Sequence, residues 1–209
     1  MKDICITEKK LSTFIYELSS KSPTPGGGSA SALLGAIGVS LCAMVANLTC
    51  GKKKYAQYQE YLISMLSTSI ASIESLLKLV NKDTEVFEPL SKAYGIPKEE
   101  PQRDEILEAA LVEACSVPMD ILREVSGIVD VIEQLQVKGS RLVLSDVGVA
   151  AAACRAAMEG AAMNVYVNTK LMKKREHAQK INAEAEALLT EGVQRCTVVY
   201  EQIAKELRE

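Results

Sequence analysis

The stretch GGGSASALLGAIGVSLCAMVANLTC, residues 26–50, decides how the rest of the chain can fold. It opens with three glycines that follow two prolines, and it contains no charged side chain. As a helix it is long enough to cross a bilayer. Its alanine, glycine and serine side chains, however, gain little from transfer into lipid. The composition therefore favours a helix buried in a protein core over a membrane span.

The chain as a whole has the composition of one helical domain. Its 209 residues suffice for a single hydrophobic core. Hydrophobic residues make up 48% of the chain but aromatic residues only 4%, and Trp is absent, so the core consists mainly of aliphatic side chains. Apolar residues recur at helical spacing, and no segment alternates as a half-buried strand does. We predict an all-α fold, an antiparallel helical bundle formed by residues 1–209 as one domain.

Capping and breaking residues divide the chain into helices. The predicted helices cover approximately residues 7–19, 28–49, 55–94, 102–115, 116–136, 145–172 and a last segment that includes 181–207. A bend or break is expected near residues 81–84. A second break is expected at Ser116, because Pro118 suits the first turn of a new helix. Ser145 or Asp146 is expected to cap the helix that follows.

Two predicted helices, 28–49 and 145–172, share an unusual density of alanine, glycine and serine. Small side chains let helix backbones approach closely, so these two are predicted to form the central pair of the bundle. The same feature suits either a symmetric dimer or simply a tight alanine-rich core. Gly51 and lysines 52–54 end the first of the two, because cations suit the negative end of a helix dipole.

Charge and cysteine usage exclude several classes of protein. A formal net charge of -3 and a pI near 5.5 give no attraction to phosphate backbones, so no nucleic-acid partner is expected. The cysteines form no CxxC pair and only His177 accompanies them, so no metal set is predicted. They are interpreted as reduced apolar residues of a cytoplasmic protein, at positions 5, 42, 50, 115, 154 and 196. Charges interrupt every apolar run at the N-terminus, so no secretory signal is expected. His177 is expected on an exposed charged face.

The glycine loop is the first candidate binding feature. At a helix N-terminus, the backbone N–H groups of glycines 26–28 can turn toward one carboxylate or phosphate, and the helix dipole favours that charge. No GK[ST] of a P-loop follows, and no strand of a dinucleotide-binding motif precedes the loop. The alternative is that Pro23, Pro25 and the glycines merely turn the chain.

Polar residues elsewhere allow functional and purely structural interpretations. Asp83 could cap the next helix or stay solvated, or it could act as an acid/base if its pKa were shifted by burial. Asn164 and Asn168 lie four residues apart and share a helix face, where they could contact a heterocycle or bond neighbouring helices. Lysines 52–54 and Arg141 could hold a polyanionic tail, or simply lie in solvent.

Taken in order, these segments resemble the cyclodeaminase/cyclohydrolase family. That family comprises the C-terminal domain of formiminotransferase-cyclodeaminase and stand-alone bacterial methenyltetrahydrofolate cyclohydrolases. The resemblance covers nearly the full length and rests on SPTPGGGSASA, GKKKY, DTEVFEPLSKAYGIPK, SVP, and SDVGVAAAA followed by NVYVN. It implies an all-α enzyme that binds a tetrahydrofolate derivative, needs no metal or redox cofactor, and works as a homodimer or larger oligomer.

The resemblance also implies a set of site residues. Asp83, in a D-x-x-x-F segment with Phe87, matches the catalytic acid/base. Substrate contacts are expected from Pro25, Gly26, Gly27, Gly28, Ser29, Lys53, Arg141, Asp146, Asn164 and Asn168. Either hydrolysis of methenyltetrahydrofolate or cyclisation of formimidoyltetrahydrofolate, or both, would suit such a site. The alternative from another class is a non-catalytic helical module for folate binding or assembly.

Overall fold

The computed structural model describes residues 6–209, and in that range the chain is helical without a β-strand. The predicted all-α fold is therefore confirmed, while Cys5 lies outside the described residues. The α-helices are α1 (Leu11–Leu18), α2 (Gly27–Thr49), α3 (Gln59–Tyr94), α4 (Arg103–Lys138), α5 (Leu144–Leu171) and α6 (Arg175–Arg208). Short 3₁₀ segments occupy Ile6–Glu8, Lys53–Tyr58 and Arg141–Val143.

The small-residue helices α2 and α5 pack against each other in opposite directions, as predicted. Near one end, Gly27 of α2 faces Asn164 of α5, and further along Gly38 faces Cys154. A Cβ atom on Gly38 would lie 2.6 Å from the Cys154 Sγ and 3.1 Å from the Ala150 carbonyl oxygen. The glycine therefore permits direct contact between the two backbones.

The other long helices surround this pair. α3 runs antiparallel to α2, because Ser29 contacts Asp83 and Gly35 lies beside Leu76. α4 packs on α3 and α5, and α6 covers α4 and α5 on the far side. The Arg195 guanidinium of α6 pairs with carboxylates of α4, including Glu133 at 2.7 Å. One side of α2 therefore packs on α3, α4 and α5.

Both predicted breaks within long helices are wrong. α3 continues through residues 81–84, since buried Val80 and Val86 keep the helical spacing of its apolar face. α4 continues through Pro118, which is buried inside the helix. Proline has no N–H to donate to the carbonyl four residues earlier. That carbonyl, of Ala114, instead accepts a hydrogen bond from the Asn168 side chain at 3.3 Å, which offsets the loss.

Two predicted helix starts also need correction. The segment 7–19 is a 3₁₀ turn followed by the separate helix α1. α5 begins at Leu144, and its N-cap position is Val143, which makes no side-chain cap. Ser145 and Asp146 therefore lie inside the helix rather than capping it. Asp146 occupies the first turn, where its charge suits the positive end of the dipole.

The cysteines described by the structure are free thiols, and all except Cys50 are buried. Burial raises the pKa of Cys42 and of Cys115 to about 12, so both thiols stay protonated at neutral pH. They act as small apolar core residues, as predicted. His177 is exposed in the first turn of α6, also as predicted.

Two helical segments are long and apolar enough to cross a membrane by length and composition alone. The most apolar stretch of Gly27–Thr49 has a mean hydropathy of 1.9, and 61% of that stretch is buried. The corresponding stretch of Lys53–Tyr94 has a mean hydropathy of 1.4, and 33% of it is buried. Core helices of folded proteins have the same properties. The position of α2 between α3, α4 and α5 agrees with the predicted core helix.

Substituting Gly38→Ala tests the close approach of α2 and α5. We expect the free energy of unfolding to fall by about 1–3 kcal/mol, because the backbone atoms that an added methyl group would meet cannot move aside easily. Chemical denaturation measures this change. Gly127→Ala is the matched control, since a Cβ there meets nothing within 4 Å. A Gly38→Ala protein as stable as this control would contradict the proposed packing.

Candidate active site

A cleft opens where the N-terminus of α2 meets α3, α4 and α5. It encloses about 540 Å³ including the open space at its mouth. Its lining consists of Pro23, Thr24, Gly26, Gly27, Gly28, Asp83, Val86, Phe87, Ala114, Pro118, Asn164, Val167 and Asn168. Asp83 is the only charged side chain in this set. The glycine loop, Asp83 and the two asparagines thus meet at one place.

Asp83 caps the N-terminus of α2 from the neighbouring helix. Its Oδ2 accepts a hydrogen bond from the Ser29 backbone N–H at 2.7 Å and another from the Ser29 hydroxyl at 2.9 Å. The first N–H groups of a helix lack partners within the helix, and its dipole favours negative charge there. The prediction that Asp83 caps the next helix after a break is wrong, because Asp83 caps α2, which is distant in sequence.

Gly28 leaves the space that this carboxylate occupies. A Cβ atom at residue 28 would lie 2.0 Å from Oδ1 of Asp83 and 2.6 Å from its Cγ. Any larger residue would therefore push the carboxylate away from Ser29. This gives the third glycine of the loop a reason that does not depend on backbone conformation, since its absent side chain makes room for Asp83.

Two opposing effects act on the ionisation of Asp83. Burial raises the pKa of its carboxyl above the ordinary value, because the charged form loses water, while the two hydrogen bonds from Ser29 act in the lowering direction. Burial is the larger effect, so the pKa is raised. A carboxyl group whose pKa is raised in a cleft is suited to exchanging protons with a bound ligand.

The two asparagines are fixed by backbone carbonyls on different helices. The Asn164 Nδ2 donates to the Gly160 carbonyl at 2.8 Å, and the Asn168 Nδ2 donates to the Ala114 carbonyl at 3.3 Å. Each amide oxygen is thereby left to accept from another group. Asn164 also lies against Gly27, whose Cβ would be 3.1 Å from its Nδ2. Interhelical bonding is thus confirmed for Asn168, whereas Asn164 bonds within its own helix, and contact of either side chain with a heterocycle stays a prediction.

The rest of the cleft wall is apolar. Val86 and Phe87 of α3, Pro118 of α4 and Val167 of α5 face the polar side formed by the loop and the asparagines. A cleft with apolar walls and a few convergent polar groups suits a flat heterocycle with hydrogen-bonding edges.

Several residues that were expected to contact the substrate do not line the cleft. Pro25 is buried and does not line the cleft, and Ser29 lies fully buried behind Asp83, with 0% of its surface exposed. Arg141 is adjacent to the opposite end of α2, because the neighbouring Ser140 N–H bonds the Thr49 hydroxyl at 2.9 Å.

Lys53 and Asp146 also lie near that opposite end, since Lys53 begins the 3₁₀ segment that follows α2, and Asp146 is in the first turn of α5, directly after the segment Arg141–Val143. Along the 23 residues of α2 this is about 30 Å from the glycine loop. The guanidinium of Arg141 pairs with Glu206. Within one chain, contacts from Lys53, Arg141 and Asp146 to the cleft are therefore ruled out.

Several lining residues were not predicted from the sequence. Pro23 and Thr24 were treated only as part of a turn, and Ala114, Val86 and Val167 carried no polar signal. Pro118 did carry a usable signal. A proline within an otherwise continuous apolar repeat leaves the carbonyl four residues earlier without its helical donor, and such a carbonyl requires another partner, which here is Asn168 of the cleft.

The fold and cleft define an all-α protein with a carboxylate-bearing cleft at a helix N-terminus. Comparison with known proteins identifies its family. The family model described as formiminotransferase-cyclodeaminase matches residues 10–187. The chain therefore belongs to that family.

Similar proteins cover most of the chain. A methenyltetrahydrofolate cyclohydrolase of Methylorubrum extorquens is 38% identical over 197 residues, which cover 92% of this chain and 95% of the relative. The formimidoyltransferase-cyclodeaminase of Sus scrofa is 28% identical, and the match covers 95% of this chain but 37% of that longer protein. The crystal structure of formiminotetrahydrofolate cyclodeaminase from Thermotoga maritima matches with a TM-score of 0.83 at 31% identity, covering 95% of this chain and 99% of the other.

Proposed function

We propose that the chain is a methenyltetrahydrofolate cyclohydrolase in which Asp83 is the acid/base. The observation that carries this proposal is the Asp83 carboxylate, which is held by Ser29 and lines a cleft that has no other charged side chain in its lining. Membership of the family supports folate one-carbon chemistry. The 38% identity to a cyclohydrolase of nearly the same length supports hydrolysis.

The substrate is a cation whose methenyl carbon bridges the folate nitrogens N5 and N10. In the first step, water forms a C–O bond to that carbon while Asp83 accepts the proton that water loses. The negative carboxylate also stabilises the positive charge of the bridge before attack. In the second step the C–N5 bond breaks, Asp83 returns its proton to N5, and the hydroxyl proton leaves to solvent. The product carries a formyl group on N10.

The rest of the cleft would position this substrate. The apolar wall formed by Phe87 and Pro118 would pack on the flat rings, and the amide groups of Asn164 and Asn168 would bond polar edges of the pterin. The N–H groups of Gly27 and Gly28, at the helix N-terminus, would donate to a carbonyl or anionic edge. These residues need no metal or redox cofactor for either proton transfer.

Cyclodeaminase activity is the second candidate, favoured by the structural match to the Thermotoga maritima enzyme. In that reaction N10 attacks the formimidoyl carbon on N5, and ammonia leaves. One group must carry a proton from the incoming to the departing nitrogen, and Asp83 could do so at the same position.

Parallel assays with methenyl- and formimidoyltetrahydrofolate distinguish cyclohydrolase from cyclodeaminase activity. We expect the near-ultraviolet absorbance of methenyltetrahydrofolate to decay faster with the protein than without it. Formation of that absorbance from formimidoyltetrahydrofolate, accompanied by ammonia release, would assign the deaminase reaction instead. Folate binding without acceleration of either reaction would support the non-catalytic module and contradict the proposed function.

The active form is proposed to be a homodimer in the cytoplasm, paired through an apolar face of α2. This face includes the exposed side chains Leu34, Ile37 and Leu48, on a helix without a charged residue. Exposed Val149, Met163 and Val167 belong to the adjoining helix α5. Large contiguous apolar patches on a protein surface mark interaction sites.

A second copy of the chain is the occupant that also explains the distant cations. A twofold axis across the middle of α2 would pair the two α2 helices in opposite directions. The C-terminal end of one would then lie beside the N-terminal end and cleft of the other. Lys53 and Arg141 of each chain would thereby come near the cleft of its partner, where they could hold a folate glutamate tail. Asp146 lies at the same end.

Substituting Ile37→Asp tests this pairing. Ile37 is 47% exposed, so the change leaves the core of the chain intact but places a charge in the centre of the proposed interface. We expect light scattering after size-exclusion chromatography to show a dimer for the native protein and a monomer for the variant. Val198→Asp on α6, at 44% exposure, is the matched control and should remain dimeric. A monomeric native protein, or a dimeric Ile37→Asp variant, would contradict the interface.

A further inference from the structure

Ser29 contacts Asp83 in a way that substrate binding does not explain. Its backbone N–H and its hydroxyl are both directed at the same oxygen, Oδ2 of Asp83. The hydroxyl oxygen also lies 3.1 Å from the Val80 carbonyl oxygen, one turn earlier on α3. Since a serine hydroxyl has one proton, it can donate to only one of these two acceptors at a time. The side chain is fully buried, so ligand and solvent cannot reach it.

We propose that Ser29 is the positioning residue for Asp83: it holds Oδ2, leaves Oδ1 as the oxygen that exchanges protons, and turns its hydroxyl between Asp83 and Val80 as Asp83 changes charge. This proposal rests on the proposed function of Asp83. Oδ1 is the oxygen that lies over Gly28, a residue of the cleft lining. Ser29 itself neither gains nor loses a proton, because only the direction of its O–H bond changes.

Each charge state of Asp83 then has a satisfied partner. With Asp83 ionised, the hydroxyl and the N–H both donate to Oδ2, and charge-assisted hydrogen bonds of this kind are the stronger ones. With a proton on Oδ1, the carboxyl group is a weaker acceptor, and the hydroxyl can donate to the Val80 carbonyl instead. No polar group has to be left unpaired when the proton moves, which keeps the buried acid usable in both directions.

Few other charges act on this carboxylate. α2 contributes none, since residues 27–49 are uncharged, and α5 contributes Asn164, Val167 and Asn168 to the cleft. On α3 itself, the neighbouring Lys82 pairs at 3.8 Å with Asp120 of α4. Asp120 is the charged residue of α4 that is nearest in sequence to Pro118 of the cleft lining. Glu85 of α3 is exposed. Ser29 is therefore the side chain expected to dominate the ionisation of Asp83 apart from burial itself.

The test compares Ser29→Ala with Ser31→Ala in the native dimer or monomer, whichever the protein forms. Ser31 is a buried serine on the same helix, but its hydroxyl donates to the Gly27 carbonyl at 2.8 Å rather than to Asp83. Turnover of methenyltetrahydrofolate is measured against pH. We expect Ser29→Ala to move the acidic limb of the kcat profile to higher pH, because the pKa of Asp83 rises when a stabilising donor to its ionised form is lost. Ser31→Ala should leave the limb in place.

A second readout does not depend on turnover. Titration of the Asp83 carboxyl carbon by ¹³C NMR, assigned by its absence in Asp83→Asn, should show a higher midpoint in Ser29→Ala than in the native protein. If alanine prevents folding, Ser29→Cys keeps the shape of the side chain with a slightly larger atom but supplies a weak donor, and it should shift the midpoint in the same direction. An unchanged midpoint and limb in a folded variant would overturn the role of Ser29. Full turnover by Asp83→Asn would instead overturn the proposed function, while the NMR titration would still test the role of Ser29 on Asp83.

Discussion

Replacing Asp83→Asn is expected to lower kcat for methenyltetrahydrofolate by about 10²–10⁴-fold, the usual contribution of a general acid/base. The amide keeps the shape of the carboxylate, and its oxygen can still accept from the Ser29 N–H. It cannot take a proton from water or return one to N5. We therefore expect folate affinity and helical content to stay close to those of the native protein. Absorbance kinetics and equilibrium binding measure the two effects separately.

Glu85→Gln is the control for that substitution. It makes the same chemical change two residues away on α3, at an exposed position outside the cleft. We expect its turnover to match that of the native protein. If Asp83→Asn also kept native turnover, Asp83 would be removed from the mechanism and the cleft would lose its only candidate base.

Gly28→Ala is expected to be nearly as damaging to turnover, with a loss of about 10²-fold or more. The added Cβ would overlap Oδ1 of Asp83, so the carboxylate must move and its two bonds to Ser29 must lengthen or break. Misplacement of a catalytic group by an ångström can cost this much. Loss of a charged hydrogen bond lowers the free energy of unfolding by about 1.5–3 kcal/mol. Replacement of glycine by alanine within a helix raises it by about 0.5–1 kcal/mol. The net loss in the free energy of unfolding should therefore be about 1–2 kcal/mol.

Gly127→Ala again supplies the control, because it adds the same methyl group within a helix where nothing lies within 4 Å. It should keep native turnover and should not lose stability. A native kcat in Gly28→Ala would show that catalysis tolerates displacement of the Asp83 carboxylate. That result would contradict the proposal that the missing side chain at residue 28 is needed for turnover.

The general arrangement of the fold follows from local sequence features. An uncharged helix rich in small residues packs most closely against another helix of small residues, and α5 is the other segment of that composition. The long apolar repeats likewise predict the helices around the pair. The two predicted breaks are wrong because local rules for a proline or a polar cluster leave out tertiary contacts. Tertiary contacts, such as the Asn168 side chain on the carbonyl freed by Pro118, offset the local cost.

The site was predictable only in part. The glycine loop has a local signal, and Asp83 was singled out by the resemblance of its D-x-x-x-F segment. The bonds that join Asp83 to Ser29 span 54 positions in sequence, and no spacing rule predicts such a contact. The same limit explains why Ser29 was expected to contact folate directly, whereas the structure places it behind the carboxylate. Lys53 and Arg141 had a charge suited to a polyanion, but charge does not reveal which end of a helix faces the cleft.

The most direct test of the central claim is a crystal structure of Asp83→Asn with methenyltetrahydrofolate bound, since this variant should bind the substrate without consuming it. We expect the pterin to lie in the cleft between the glycine loop and Phe87. The methenyl carbon should be about 3–4 Å from the side chain at residue 83 or separated from it by one water molecule. A folate bound elsewhere on the chain or its dimer, with its methenyl carbon remote from residue 83, would contradict the account.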